Sequence, residues 1–71
     1  MSRIDTELRV YKARFQWTNE RLCEALGIKD TAFRSKRKGR SPFTARELKR
    51  ISELLGISME EAYDMLPEIN H

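Results

Sequence analysis

The chain has 71 residues, of which 39% are hydrophobic and 35% are charged, and its formal net charge is +3. A chain this short can form only one hydrophobic core, so the sequence predicts a single domain over residues 1–71. Its one cysteine, Cys23, excludes an intrachain disulfide and a zinc site of several thiolates. No apolar run is long enough for a membrane span or a signal peptide, so we expect a cytoplasmic protein without a membrane partner.

Hydrophobic periodicity and helix-capping residues together predict five short helices and hence a compact all-α domain. Thr18 has the hydroxyl group that N-caps use, and glycines at positions 27, 39 and 56 follow three of the helical patterns, where a left-handed residue ends a helix. Thr44 and Ser58 each precede a glutamate by three residues, which is the spacing of a capping box. The predicted helices cover about residues 4–15, 18–26, 30–38, 45–55 and 59–66.

The apolar positions of these helices predict the core. Phe33 is almost the only large apolar residue of the third helix, so docking of that helix depends on it. Cys23 is expected to be a small buried residue rather than a reactive thiol. The aromatic residues are expected to pack in the core or against helix ends rather than to stack on bases; they are Tyr11, Phe15, Trp17, Phe33 and Phe43.

The charges are divided unevenly along the chain. Between residues 29 and 40 there are six basic residues and one acidic residue, Asp30. From residue 51 to residue 71 there are five acidic residues and no lysine or arginine. This division is typical of a domain whose middle contacts a polyanion and whose C-terminal part faces away from it. The charge distribution alone is equally consistent with two helix surfaces that simply face solvent.

The segment 18–39 has the organisation of a helix-turn-helix. A short helix is followed by a turn containing Gly27 and by a second short helix with little apolar surface. The polar residues of that second helix are spaced three and four apart, so they share one side. Their side chains are short or flexible enough to reach base edges in a major groove; they are Thr31, Arg34, Ser35 and Lys38.

Over roughly residues 8–66 the chain resembles helix-turn-helix regulators of the Cro and phage-repressor type. The strongest stretches are 18–28, TNERLCEALGI, and 48–58, LKRISELLGIS, which are similar to the second and fourth helices of that family with their following turns. The order and lengths of all five segments also match. The resemblance implies a small phage or prophage regulator that binds operator DNA with its helix 30–38 in the major groove.

The same resemblance implies two sets of DNA contacts. Lys12, Lys38 and Arg40 match positions that contact the phosphate backbone, and Lys36 adds to that basic surface. Residues expected to read bases, or to support such contacts, are Asn19, Asp30, Thr31, Arg34 and Ser35.

Three features depart from the family pattern. Asp30 brings a carboxylate close to DNA phosphates, and a role as helix cap is favoured over contact with a cytosine amine. Lys36 and Arg37 stand where an aliphatic residue is usual. Lys12 is expected to meet Arg37, a contact between like charges that would weaken docking of the third helix. These departures leave open which side of that helix reads DNA.

Two other binding functions fit the sequence. One is an antirepressor or modulator of the same fold that binds a phage repressor protein, which the departures and the acidic C-terminal third favour. The other is a DNA-binding antitoxin, which the sequence does not distinguish from a repressor. Homodimerisation is expected through the C-terminal helix, with Met59, Tyr63, Met65 and Leu66 as the contact surface.

Enzyme activity is not expected. The chain has no Ser-His-Asp or Cys-His arrangement, no metal-ligand spacing and no glycine-rich phosphate loop. Accordingly, the sequence predicts neither a cofactor nor a metal ion.

Overall fold

Five α-helices and no strand make up the computed structural model, which describes residues 3–67. The predicted all-α class is therefore confirmed. The fifth helix ends two residues earlier than predicted, because Leu66 precedes Pro67 and a residue before proline disfavours the helical conformation. The helices are α1 (Arg3–Phe15), α2 (Asn19–Leu26), α3 (Asp30–Arg37), α4 (Ala45–Leu55) and α5 (Met59–Asp64).

Three helices begin at hydroxyl side chains, as the sequence predicts. The Thr18 hydroxyl accepts a hydrogen bond from the backbone N–H of Arg21. The Thr44 hydroxyl accepts from the Glu47 N–H, and the Glu47 carboxylate accepts in return from the Thr44 N–H, which completes a capping box. Ser58 accepts from the N–H of Glu61. For α3, the prediction that Asp30 caps the helix is wrong, because Lys29 is the N-cap and no side chain bonds there.

Left-handed residues end four of the helices. Gly27, Gly39 and Gly56 have φ angles of 69°, 78° and 69°. α1 ends in the same way at Gln16, whose φ is 55°, and the N–H of Trp17 then bonds the Lys12 carbonyl at 2.9 Å. A side chain in this conformation is strained, so α1 carries a cost that the glycines avoid.

The core lies where α1, α2, α3, α4 and the end of α5 meet. The backbone N–H of Ile4 bonds the carbonyl of Met65 at 3.1 Å, which holds the start of α1 beside the end of α5. Of the aromatic residues expected in the core or against helix ends, Phe15 is not in the core: it is 52% exposed, and its ring packs on Tyr11 at the end of α1, with 4.6 Å between ring centres. The core cluster of the described residues is Ile4, Leu8, Leu22, Cys23, Leu26, Ile28, Phe33, Ile51 and Met65.

Candidate nucleic-acid interface

The turn between α2 and α3 is shaped by Gly27. The N–H of Ile28 bonds the carbonyl of Cys23 at 3.0 Å across that glycine, so the chain reverses within three residues and α3 begins at Asp30. Arg50 of α4 donates a hydrogen bond to the Leu26 carbonyl at 3.2 Å and so ties α4 to the last turn of α2. The predicted helix-turn-helix arrangement is thus present in the backbone.

Phe33 attaches α3 to the core. Its side chain is fully buried, and its ring meets the Phe43 ring edge to face, with 6.5 Å between centres. Since Phe33 is the only buried residue of α3, this one side chain sets which side of the helix faces outward. The sequence-based prediction for Phe33 is confirmed.

Lys36 lies on the inner side of α3 and forms an ion pair with Glu47. Its ammonium group is 2.6 and 2.7 Å from the two carboxylate oxygens, and the side chains are only 14% and 15% exposed. Burial acts to raise the pKa of Glu47, but hydrogen bonds from Lys36 and Thr44 outweigh it, so the pKa lies below the ordinary value. The charge of Lys36 is therefore neutralised by Glu47, so Lys36 is poorly placed for the predicted contact with a DNA phosphate.

Arg37 also points inward, and its partner is an acid of α1. Its guanidinium is 3.0 Å from the Asp5 carboxylate and lies over the Phe33 ring, 4.7 Å from the ring centre. The expected contact between Lys12 and Arg37 is wrong, because Arg37 is directed to Asp5 and Lys12 to Asn19. The two cations that depart from the family pattern thus fasten α3 to α4 and α1.

The outer side of α3 is polar and basic. Thr31, Arg34 and Lys38 are exposed there, which is the side expected from their spacing. Lys29, in the turn before α3, and Arg40, in the loop after it, are exposed as well. Within residues 3–67 these four lysines and arginines have no ion pair, so their charges face solvent without a protein counter-charge.

Gly39 positions the loop that follows α3. Its left-handed conformation allows the N–H of Arg40 to bond the carbonyl of Ser35 at 3.0 Å, which ends the helix in a Schellman motif. The Ser41 hydroxyl then donates to the Ser35 hydroxyl at 3.3 Å. Ser35 is therefore partly covered by the loop, whereas Thr31 on the same side is open.

A chain of polar contacts joins the first three helices beside this surface. The Lys12 ammonium donates to the Asn19 side-chain oxygen at 3.4 Å, and the Asn19 amide donates to the Asp30 carboxylate at 2.5 Å. Asp30, expected to cap α3, instead bonds the first residue of α2. Asn19 and Asp30 are thus brought together, and either would have to share or give up this bond to contact a base.

Cys23 lies under this polar chain. Its thiol is buried, 4.0 Å from an Asp30 carboxylate oxygen. Burial, and next the negative charge of Asp30, raise the pKa of the Cys23 thiol above its ordinary value. A raised pKa disfavours the thiolate, and the buried position agrees with the predicted role of Cys23 as a packing residue.

Sequence reasoning missed two acids, Asp5 and Glu47, that organise this surface. A signal for them was present: residues 36 and 37 lie three and four positions after Phe33, so they share its inward side. Lysine and arginine on the inner side of a docked helix require acids opposite them. Which acids these are depends on how α1 and α4 pack, and α3 alone does not reveal it.

Neither a metal centre nor a membrane span is found in the part of the chain that the structure describes. Over residues 3–67 no three His, Cys, Asp or Glu side chains are grouped as metal ligands. None of the helices there has the length and apolar character needed to cross a bilayer. In comparisons with protein-family models, curated proteins and solved structures, none matches this chain. The resemblance to phage regulators stays a prediction.

Proposed function

We propose that this chain is a sequence-specific DNA-binding regulator that reads DNA with α3. The observation that carries the proposal is the division of charge on α3. Its inner cations are neutralised by Glu47 and Asp5, while Arg34 and Lys38 lie exposed and form no ion pair with any residue between 3 and 67. A helix held by one buried ring and two ion pairs, with a polar and cationic outer side, suits insertion into a major groove.

Residues of the outer side have separate roles in this proposal. Thr31 and Arg34 contact base edges, with Ser35 next to them, whereas Lys38 and Arg40 contact phosphates. Asn19 and Asp30, which bond each other, support the reading helix from its N-terminal end. Lys36 is not among the phosphate contacts that we propose, because Glu47 holds it. A regulator of phage or prophage DNA would act in the cytoplasm and would need no cofactor.

Substitutions on α3 test this proposal. A preferred duplex is first selected from a randomised library on the wild-type protein, and binding is measured to it and to random DNA. Thr31→Ala and Arg34→Ala should each weaken binding to the selected duplex by about 1–3 kcal/mol and change binding to random DNA less. Lys49→Ala, at an exposed position of α4, is the control and should have little effect on either.

Other outcomes would favour the rival function. A protein-binding modulator should select no preferred duplex, and its Arg34→Ala variant should lose a stoichiometric complex with a repressor, because arginine often anchors interfaces. Discrimination between selected and random DNA that survives both substitutions would contradict the assignment of α3 as the reading helix.

A further inference from the structure

The solvent side of α1 exposes apolar residues that the DNA-binding proposal does not use. Val10 is 56% exposed and Phe15 is 52% exposed. Beside them is a groove of about 270 Å³, in which α1 contributes Val10 and Tyr11 and the α4–α5 side contributes Leu55, Ile57 and Met65. Large exposed apolar side chains beside a groove are typical of a protein-binding surface.

Charges of both signs border the same groove. The charged residues that line it are Arg3, Glu7, Arg14 and Glu61. Glu7 and Arg14 share one side of α1 with Val10, which lies three residues after Glu7 and four before Arg14. Glu7 and Arg14 are exposed, and neither belongs to an ion pair within residues 3–67. On this side of α1, Val10 and Tyr11 thus lie between an acid and a base that are about 10 Å apart along the helix axis.

We infer that this surface binds a second copy of the chain, with the two α1 helices antiparallel. In an antiparallel pair that crosses between Val10 and Tyr11, positions whose numbers add up to 21 lie opposite each other. Glu7 then lies opposite the partner's Arg14, and the symmetry repeats this pair on the other side of the axis. Val10 lies opposite the partner's Tyr11. One surface thus supplies both halves of a twofold interface.

The charge order favours a second copy over a different partner. A partner surface that carries charges of only one sign would meet repulsion at either Glu7 or Arg14, whereas an antiparallel copy of the chain places an opposite charge at both. An apolar centre with a charged rim is the usual anatomy of an interface, and tyrosine and arginine are frequent anchors. Thr31, Arg34 and Lys38 do not line this groove, so the dimer does not depend on DNA binding.

Charge reversal tests the pairing. Sedimentation equilibrium on the full chain at low salt should show a monomer–dimer equilibrium. In a Glu7→Arg dimer, an arginine at position 7 faces the partner's Arg14 at both symmetry-related positions. In an Arg14→Glu dimer, two glutamates face each other at the same positions. Each variant alone should therefore dimerise at least about tenfold more weakly. An equimolar mixture of the two variants should form a heterodimer, and the double variant carrying both reversals should regain the homodimer.

A second pair of variants distinguishes this surface from α5. Val10→Lys should weaken the dimer, whereas Tyr63→Ser, at a residue that is 67% exposed and does not line the groove, should not. Circular dichroism shows that each variant is folded. A chain that stays monomeric at about 1 mM overturns the inference. It is also overturned by a dimer that Tyr63→Ser disrupts, or by a mixture of the two reversal variants that fails to associate.

Discussion

Arg50 occupies the space into which a side chain at Gly27 would project. A Cβ atom added at Gly27 would overlap the Arg50 guanidinium, while one added at Gly56 would meet nothing within 4 Å. Both glycines have the same φ of 69°. The two positions therefore separate the cost of the left-handed backbone from the cost of disturbing the contact between α2 and α4.

We expect Gly27→Ala to be the more destabilising of the two changes. Gly56→Ala should lower the free energy of unfolding by about 1 kcal/mol, because alanine disfavours a positive φ. Gly27→Ala should cost about 0.5 kcal/mol more, since the flexible Arg50 side chain can move aside but loses its hydrogen bond to the Leu26 carbonyl. Urea unfolding measures both. In an Arg50→Ala background the two substitutions should cost the same, and a difference that persists there would contradict this account.

The hydrogen bonds of Glu47 predict a stability that depends on pH. Because its pKa is lowered in the folded protein, its carboxylate stabilises the fold above the ordinary pKa of about 4.5. That contribution is lost as the pH falls through the lower, folded value. Glu47→Gln should therefore be about 1–2 kcal/mol less stable than the wild type at pH 7, and the difference should shrink toward zero in strong acid. A difference of equal size at both pH values would argue against the ion pair with Lys36. Glu53→Gln, which removes another carboxylate of α4, is the control.

Gln16 is a site where glycine should stabilise the protein. Its φ of 55° is costly for glutamine, so Gln16→Gly should raise the free energy of unfolding by about 0.5–1 kcal/mol after the greater entropy of glycine in the unfolded chain is allowed for. Thermal unfolding should show a midpoint a few degrees higher. Gln16→Ala keeps the strain and should give no such gain; if both variants gain equally, strain is not the cause.

The salt dependence of DNA binding should separate Lys36 of α3 from Lys38, the residue that follows α3. If Lys38 neutralises a phosphate, Lys38→Ala should flatten the slope of log affinity against log salt by about 0.9. Lys36 is held by Glu47, so Lys36→Ala should leave that slope nearly unchanged. Filter binding to one duplex over a range of salt concentrations measures both, and equal changes for the two lysines would show that Lys36 also reaches the DNA.

Local sequence determined most of the helix boundaries. Thr18, Thr44 and Ser58 start helices, and glycines end three of them, because caps and left-handed residues act within a few positions of the chain. The docking of α3 through Phe33 was predictable for a similar reason, since α3 contains one large apolar residue. The exposed side that carries Thr31, Arg34 and Lys38 follows from it.

Only the tertiary structure decided how the inner cations are neutralised and which apolar residues stay exposed. Asp5 lies 32 positions before Arg37, and Glu47 lies 11 after Lys36; such pairs form only when separate helices pack, and no local pattern specifies them. Phe15 fits the apolar stripe of α1, yet it is exposed, whereas Ile4 and Leu8 are buried. Periodicity identifies the apolar side of a helix, but the reach of the neighbouring helices decides how much of that side is buried.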